Sequence, residues 1–338
     1  MKLFYILFIN IFLLHSLNAS INNFISTETG IVEGIKKNNS VLYQDIPYAK
    51  PPVGNLRWKA PQKLISSKEI LPKDNNFCVQ KPSNLGGADG EGFIAGTEDC
   101  LYLDIYAPSK IVDDLPVMFW IHGGGNTSGL KDLYDFSKLV KKHNVIVVAI
   151  NYRLGPLGWF THPAIQSLQE GIDKASNFGT LDIISALEWV NENINSFGGN
   201  PKNITIFGES AGGHNVLSLL VSKKAKGLFH KAISMSGYTE SISLEDAYKQ
   251  EYKSPTSNYS SWNVVNKIIN LESGENKKDY YSNKELRSLL YGLSGKEFYQ
   301  YYADRETYEE LPLLTNDGFV IPIIGLKEAL SKKEHVNN

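Results

Sequence analysis

The chain has 338 residues, of which 42% are hydrophobic and 21% charged, and carries a formal net charge of −2. That length and apolar content suffice for a substantial buried core. A balance so near neutrality supplies no basic field, so no nucleic-acid partner is expected.

Residues 1–19 read as a signal peptide. Lys2 is a minimal positive start, Leu3 to Leu14 is apolar apart from Asn10, and His15, Ser16 and Asn18 lead to cleavage after Ala19. The run is shorter than the roughly 20 apolar residues that span a bilayer, which favours a cleaved leader over an anchor. No later segment is long and apolar enough to cross, so no stable membrane anchor is expected. The mature domain, residues 20–338, is therefore expected to be soluble and secreted, in an extracellular or endomembrane-lumen compartment. Cys78 and Cys100 are the only cysteines, and an even pair in an oxidising compartment reads as one disulfide rather than two separate thiols. Closing that loop is worth roughly 3 kcal/mol on the chain-entropy account. Asn38, Asn203 and Asn258 head sequons that are candidate glycan sites. The sequon at Asn126 lies inside a glycine loop where a glycan would obstruct the site, and is discounted.

Thr29 to Tyr43 reads as an antiparallel hairpin with Lys36 to Ser40 as its polar turn. Ile46 to Pro61 carries four prolines and is expected to be an ordered crossing loop pinned by Tyr48 and Trp58. Leu85 to Gly96 is glycine-rich and lies between the cysteines. Strands are predicted at Leu101 to Tyr106, Pro116 to Ile121, Val145 to Ile150, Ile204 to Phe207 and Ala232 to Met235. Helices are predicted at Leu133 to Lys142, Leu181 to Asn193 and Asn215 to Val221, the second with Leu181, Ile184, Leu187, Trp189 and Val190 on its buried face. Strands buried on both faces and alternating with helices predict an α/β domain with a mostly parallel central sheet flanked by helices. From about 239 to 310 the composition turns to tyrosine, asparagine, lysine and serine, with helical patterning at Trp262 to Leu271 and Lys284 to Leu293. This stretch is expected to be a helical excursion beside the sheet.

The chain is organised around Gly208-Glu209-Ser210-Ala211-Gly212, between the strand at Ile204 and the helix at Asn215. Glycines two residues either side of a serine permit a turn too sharp for residues with a β-carbon, and lift the serine hydroxyl above the sheet edge. Alone, the five-residue pattern fits a helix-capping serine equally well. Acyl transfer through serine also needs donors for an oxyanion and a base for the hydroxyl proton. His122-Gly123-Gly124-Gly125 directly follows a predicted strand, and its bare amides, with that of Ala211, make a candidate oxyanion hole. A phosphate cradle is the competing reading of the glycines, but no lysine-serine or lysine-threonine pair follows them.

With these motifs the chain resembles the type-B carboxylesterase family, the carboxylesterases, lipases and cholinesterases. The resemblance runs from Gly30 to Gly237. It rests on IPYAKPPVGNLRW (Ile46 to Trp58), EDCLYLDIYAP (Glu98 to Pro108), WIHGGG (Trp120 to Gly125), NYRLGPLGWF (Asn151 to Phe160), the elbow stretch, and FHKAISMSG (Phe229 to Gly237). It implies an α/β-hydrolase fold and hydrolysis of small-molecule or lipid carboxylic esters through an acyl-serine intermediate, with no cofactor and no metal. By the same resemblance Ser210 is the nucleophile, Gly124, Gly125 and Ala211 are oxyanion donors, Glu209 and Ser236 support a catalytic histidine, and Cys78–Cys100 is the family's first disulfide. Three departures stand out: Ile183 in place of glutamine after Asp182, Asn126 in place of an aromatic, and no tryptophan in the disulfide loop, which argues against a choline ester.

The resemblance places the acid and the histidine after the serine, beyond a segment like Thr315 to Leu330, so the last strands and both partners are expected to be missing from these 338 residues. Asp317 or Glu328 with His335 has the right order, but His335 lies in a polar tail. His122, His143 and His162 precede the serine, His214 sits just inside the elbow helix, and His230 fits a structural position. The expected function is a secreted serine carboxylesterase represented by a fragment. The alternative is a truncated, non-catalytic esterase-like protein that binds partners or has no function.

Overall fold

Runs rich in β-branched and aromatic residues assemble side by side into one seven-stranded sheet. The structure, a computed structural model, describes residues 24–37, 40–83, 86–88, 94–110, 113–248, 261–269, 281–303 and 314–336. The expected signal peptide and the sequons at Asn38 and Asn258 lie outside the described residues, as does part of the 239–310 stretch. The strands are β1 (Ile35–Lys37), β2 (Ser40–Pro47), β3 (Tyr102–Pro108), β4 (Leu115–Ile121), β5 (Ile146–Ile150), β6 (Gly199–Glu209) and β7 (Lys231–Met235). Their spatial order is β7-β6-β4-β5-β3-β2-β1. The four strands β7, β6, β4 and β5 pair in parallel, and β3, β2 and β1 continue the sheet antiparallel. Five of the seven strands thus run one way, and the sheet is mostly parallel with an antiparallel flank. Helices α1 (Ser137–His143), α2 (Phe178–Asn193) and α3 (Ala211–Val221) connect and cover it.

The elements follow the sequence closely, with instructive differences. The hairpin forms only from Ile35 to Leu42; Gly30–Glu33 pairs instead with Phe24–Thr27 and Glu69–Ile70 in a separate small sheet. Helix α1 begins at Ser137, four residues later than expected, because the Asp135 carboxylate accepts the Ser137 N–H at 2.9 Å and fixes the start there. Helix α2 is buried nearly all round rather than on one face: twelve of its sixteen residues are buried, as befits a helix packed between other elements. Strand β7 differs from the other parallel strands: every residue in it is exposed, with Ile233 at 44% and Met235 at 38%, in keeping with the expectation that the last strands of the sheet are missing. It is the edge of the sheet, and among the described residues nothing pairs with its outer side.

Polar and aromatic pins hold the long connections to this frame. Tyr48 donates its hydroxyl to the Asn151 carbonyl at 2.7 Å, and Trp58 donates its indole N–H to the Pro156 carbonyl at 2.8 Å, as the proline loop requires. Trp58 is fully buried against Phe160, Tyr291 and Phe298. The last two belong to α5 (Asn283–Gly292) and α6 (Gly295–Ala303), which lie beyond α4 (Ser261–Ile269) in the chain. Arg57 grips the same helices: Nη2 meets Glu98 at 2.6 Å and Nη1 donates to the Leu293 carbonyl at 2.7 Å. Helix α7 (Leu326–Ser331) packs on α3. No helix among the described residues is long and apolar enough to cross a membrane.

Arg153 and Asp182 form a two-pronged pair at 2.7 Å on each prong, with side chains 3% and 0% exposed. Removing one member of such a pair strands the other charge. Arg153→Met is expected to lower stability by about 3–5 kcal/mol, measured as the urea unfolding free energy, and Arg153→Met with Asp182→Leu to recover much of that loss. Strand β7 is a free apolar edge, which invites pairing between molecules. Ile233→Lys is expected to raise the fraction of protein remaining in solution at a given concentration with little change in the unfolding midpoint.

Candidate active site

The turn at Ser210 is built by the close approach of backbones. Ser210 has φ 54° and ψ −119°, a conformation that side chains disfavour and that costs on the order of 1–3 kcal/mol. A β-carbon on Gly212 would lie 2.1 Å from the Ile121 carbonyl oxygen, and one on Gly208 would lie 2.5 Å from the Gly212 carbonyl carbon. Only glycine fits either place. The Ser210 N–H donates to the Met235 carbonyl at 2.9 Å and its carbonyl accepts the His214 N–H at 2.9 Å, so β7 on one side and α3 on the other hold the turn. Ser210 is partly exposed at the end of the sheet, at the start of an 11-residue helix.

The glycine loop stands against this turn. A β-carbon on Gly123 would be 2.8 Å from the Glu209 carbonyl oxygen and 3.4 Å from the Ser210 β-carbon. Gly124 and Gly125 follow with φ of 95° and 62°, both partly exposed. The loop closes on itself through Gly124, whose carbonyl accepts the N–H groups of Thr127 and Ser128 at 3.0 Å. Among the described residues no hydrogen bond engages the N–H groups of Gly124, Gly125 or Ala211. Glu209 and Ser236 flank the turn, both exposed, with Ser236 at φ 51°. The structure therefore brings together Ser210, Ala211, Glu209, Ser236 and the glycine loop.

Several residues that secure the loop were not singled out from the sequence. Gln80, fully buried, accepts the N–H groups of Gly129 and Ala88 at 3.0 Å and donates to the carbonyls of Gly129 and Cys78 at 3.0 Å. The glycine loop is thus tied to the segment closed by the Cys78–Cys100 disulfide, which is formed. Tyr152 donates to the His122 carbonyl at 2.6 Å and stacks on the His122 ring at 4.3 Å. Tyr299 of α6 donates to the Thr127 carbonyl at 2.9 Å. Gln80 follows Cys78 by two residues and Tyr152 lies in a quoted block, but a polar side chain two residues from a cysteine carries no sign of its partners. Asn126 is buried, 4% exposed, and accepts Nδ2–H of Asn215 at 2.8 Å, consistent with discounting its sequon. Asn203 is partly exposed and accepts Lys231 Nζ at 2.6 Å.

None of the described histidines is placed as a base for Ser210. His214 is buried, stacks on Tyr238 at 4.0 Å and donates Nδ1–H to the Tyr238 carbonyl at 2.7 Å. His122 is buried with Nδ1 against the Gly123 carbonyl at 2.8 Å. His162 accepts the Ala164 N–H at 3.1 Å and packs on Trp262. His143 ends α1 in solvent, and His230, just before β7, accepts the N–H of Ile204 in the middle of β6 at 3.2 Å, away from the turn. His335 is exposed but not frayed, since the next residue, Val336, donates its N–H to the Leu220 carbonyl at 2.8 Å. Leu220 lies ten residues beyond Ser210, about 15 Å along the helix axis. Asp317 is equally unavailable: its carboxylate accepts N–H groups of Ser176, Phe319, Val320 and Ile321 and the Asn177 amide. Glu328 is an exposed partner of Lys332.

Burial depresses the pKa of both His122 and His214 to about 4, against weaker opposing pulls from the Gly123 and Tyr238 carbonyls. Both rings are therefore neutral in the fold, while unfolded histidine protonates near 6.5. The unfolded state gains protons first as pH falls, so their contribution to stability is full above about 6.5 and is lost progressively towards about 4. Each ring is expected to add up to about 1.4 kcal/mol per pH unit in that window. Urea unfolding midpoints should fall from pH 6.5 to pH 5, and His214→Gln should flatten that slope.

The geometry has counterparts among known proteins. A family model for the carboxylesterase family matches residues 21–290. The para-nitrobenzyl esterase of Bacillus subtilis (strain 168) is 44% identical over 227 residues, covering 66% of this chain and 45% of that protein. The liver carboxylesterase of Sus scrofa is 41% identical, covering 63% of this chain and 38% of the relative. Among solved structures, a thermophilic PNB esterase superposes with a TM-score of 0.74 at 32% identity, over 93% of this chain and 61% of that one. The chain thus spans less than half the length of these curated relatives. The sheet order, the strained serine turn, the adjoining glycine loop and the family match converge: this chain is a member of the carboxylesterase family with the α/β-hydrolase fold.

Proposed function

We propose that this chain carries the nucleophile and oxyanion half of a serine carboxylesterase. The observation that carries the reading is the Ser210 backbone at φ 54° and ψ −119°, with the glycine loop in contact with it. Strain of this kind persists only where the surroundings over-determine it, and it concentrates at functional sites. The Ser210 hydroxyl would attack an ester carbonyl carbon, giving up its proton to a base as the carbonyl oxygen gains negative charge. The amides of Gly124, Gly125 and Ala211 are the candidates to receive that charge, helped by the positive end of α3. The alcohol then leaves with a proton, and water hydrolyses the acyl-serine. Glu209 and Ser236 stand beside the turn, in position to support an incoming base.

No described histidine is placed to serve as that base, since each is committed elsewhere or remote. That same observation favours a second reading, in which the 338 residues alone are non-catalytic. A secretory route is supported by the formed Cys78–Cys100 pair and the leader-like residues 1–19. The substrates are small-molecule or lipid carboxylic esters, by analogy with the named relatives.

Loss of a triad histidine costs about a millionfold in turnover. The 338-residue chain is therefore expected to hydrolyse p-nitrophenyl butyrate no faster than its Ser210→Ala variant. Joined to the carboxy-terminal portion of the Bacillus subtilis para-nitrobenzyl esterase, it should turn the ester over and lose that activity on Ser210→Ala. A folded fusion with no Ser210-dependent turnover would sink the esterase reading.

A further inference from the structure

The glycine loop and the nucleophile helix meet at a buried pair of amides. Asn215 lies on α3, five residues beyond Ser210, and is fully buried. Its Nδ2 donates to Asn126 Oδ1 at 2.8 Å, and Asn126 directly follows the three glycines. The same side chain also hydrogen-bonds Tyr152. Tyr152 in turn donates to the His122 carbonyl at 2.6 Å. Burial, reinforced by Tyr238, raises the Tyr152 pKa, so its hydroxyl stays protonated and remains a donor. One helix residue therefore reaches both ends of the loop, His122 on one side of the glycines and Asn126 on the other.

Stability does not account for this arrangement. Asn215 Oδ1 is buried with no hydrogen-bond partner, and a half-satisfied buried amide is a net cost that an apolar side chain would avoid. Asn126 adopts φ 59°, a left-handed conformation that asparagine tolerates better than most residues. Its carbonyl accepts the Gly155 N–H at 2.7 Å, which fixes the peptide that follows the glycines. Position 126 is also where this chain departs from the aromatic expected of the family. We propose that Asn126 and Asn215 are positioning residues that set the distance and orientation of the Gly124 and Gly125 amides relative to Ser210. The inference rests on the esterase reading of the same site, and a displacement of about 1 Å in such a site costs on the order of a hundredfold.

The test uses the 338-residue chain and a fluorophosphonate probe, followed by intact mass. The Ser210 Oγ–P bond forms as the P–F bond breaks, fluoride leaves, and the hydroxyl proton goes to buffer; Ser210→Ala gives the background. Asn126→Gly removes the amide and suits φ 59°, whereas Asn126→Asp retains an acceptor for Asn215. Asn126→Gly is expected to lower the limiting labelling rate about ten- to a hundredfold, leave the half-saturating probe concentration little changed, and speed amide hydrogen exchange across residues 122–129. Asn126→Asp should restore most of the rate. Wild-type labelling by Asn126→Gly would overturn the proposal. If the unsubstituted chain is not labelled at Ser210, which a serine without its base allows, the esterase reading is left to the fusion and exchange decides the positioning role alone: faster exchange confined to 122–129 supports it, and unchanged exchange refutes it. Should Asn126→Gly fail to melt cooperatively, Asn215→Leu is read by the same measures.

Discussion

Everything in this molecule that bears on chemistry depends on one unfavourable backbone conformation. Ser210 is held at φ 54° and ψ −119° because the backbone of β4 runs so close that only glycine fits at position 212. The relevant contact is between main chains, the Ile121 carbonyl against the first turn of α3, and it permits no side chain between them. The turn is then over-determined from both directions, by the Met235 carbonyl of β7 and by the His214 N–H of α3. A residue so constrained cannot relax into the helix that follows. Its side chain stays at the sheet's end, beside the glycine loop that the same strand β4 delivers.

The loops around this turn are fixed mainly by buried polar groups rather than by apolar packing. Gln80 reaches across to Gly129, Tyr152 and Asn215 hold the two ends of the glycines, and Tyr299 adds a bond from the helical excursion. Deeper in the sheet, Lys131 sits between Asp45 and Asp104 at 2.9 Å from each. Burial pulls the Lys131 pKa down, but Asp104 and then Asp45 outweigh it and keep the ammonium charged. Arg153 with Asp182 does the same beneath the Asn151 to Phe160 segment. Buried polar pairs of this kind add little net stability compared with apolar replacements, but they specify register and orientation. The irregular backbone beside the Ser210 turn needs that kind of specification, because it has no ladder of its own to fix it.

The sheet is asymmetric in a way that matters for the site. On one flank, β3, β2 and β1 close it with antiparallel strands; on the other, β7 is an exposed edge, and β7 is the strand that braces the Ser210 turn. Ser210 therefore stands near the uncovered side of the described sheet rather than at its middle. The histidines that the described fold contains are spent on other tasks, His214 and His122 as neutral buried rings and His230 and His335 at the far ends of the elements flanking the turn.

Local patterns determined a good deal of this protein. Continuous apolar runs such as Val145 to Ile150 marked buried parallel strands, because a strand covered on both faces has no polar alternation to show. The GESAG turn and the HGGG loop were legible because glycine at fixed spacing records a steric requirement directly in the sequence. Tertiary structure alone decided the rest. Ala232 to Met235 has the composition of an interior strand, and only sheet order reveals that it is an edge. Asn126, Asn215, Gln80 and Tyr152 have no local signature, because a hydrogen bond between residues 89 apart depends on where two segments meet and not on what surrounds either in the chain. Asp317 and His335 had the right order to complete a triad, but Asp317 is spent on backbone N–H groups and the bond from Val336 to Leu220 holds His335 at the far end of α3. A sequence records which chemistry is available, whereas distance, which decides whether two groups can react, exists only once the chain has folded.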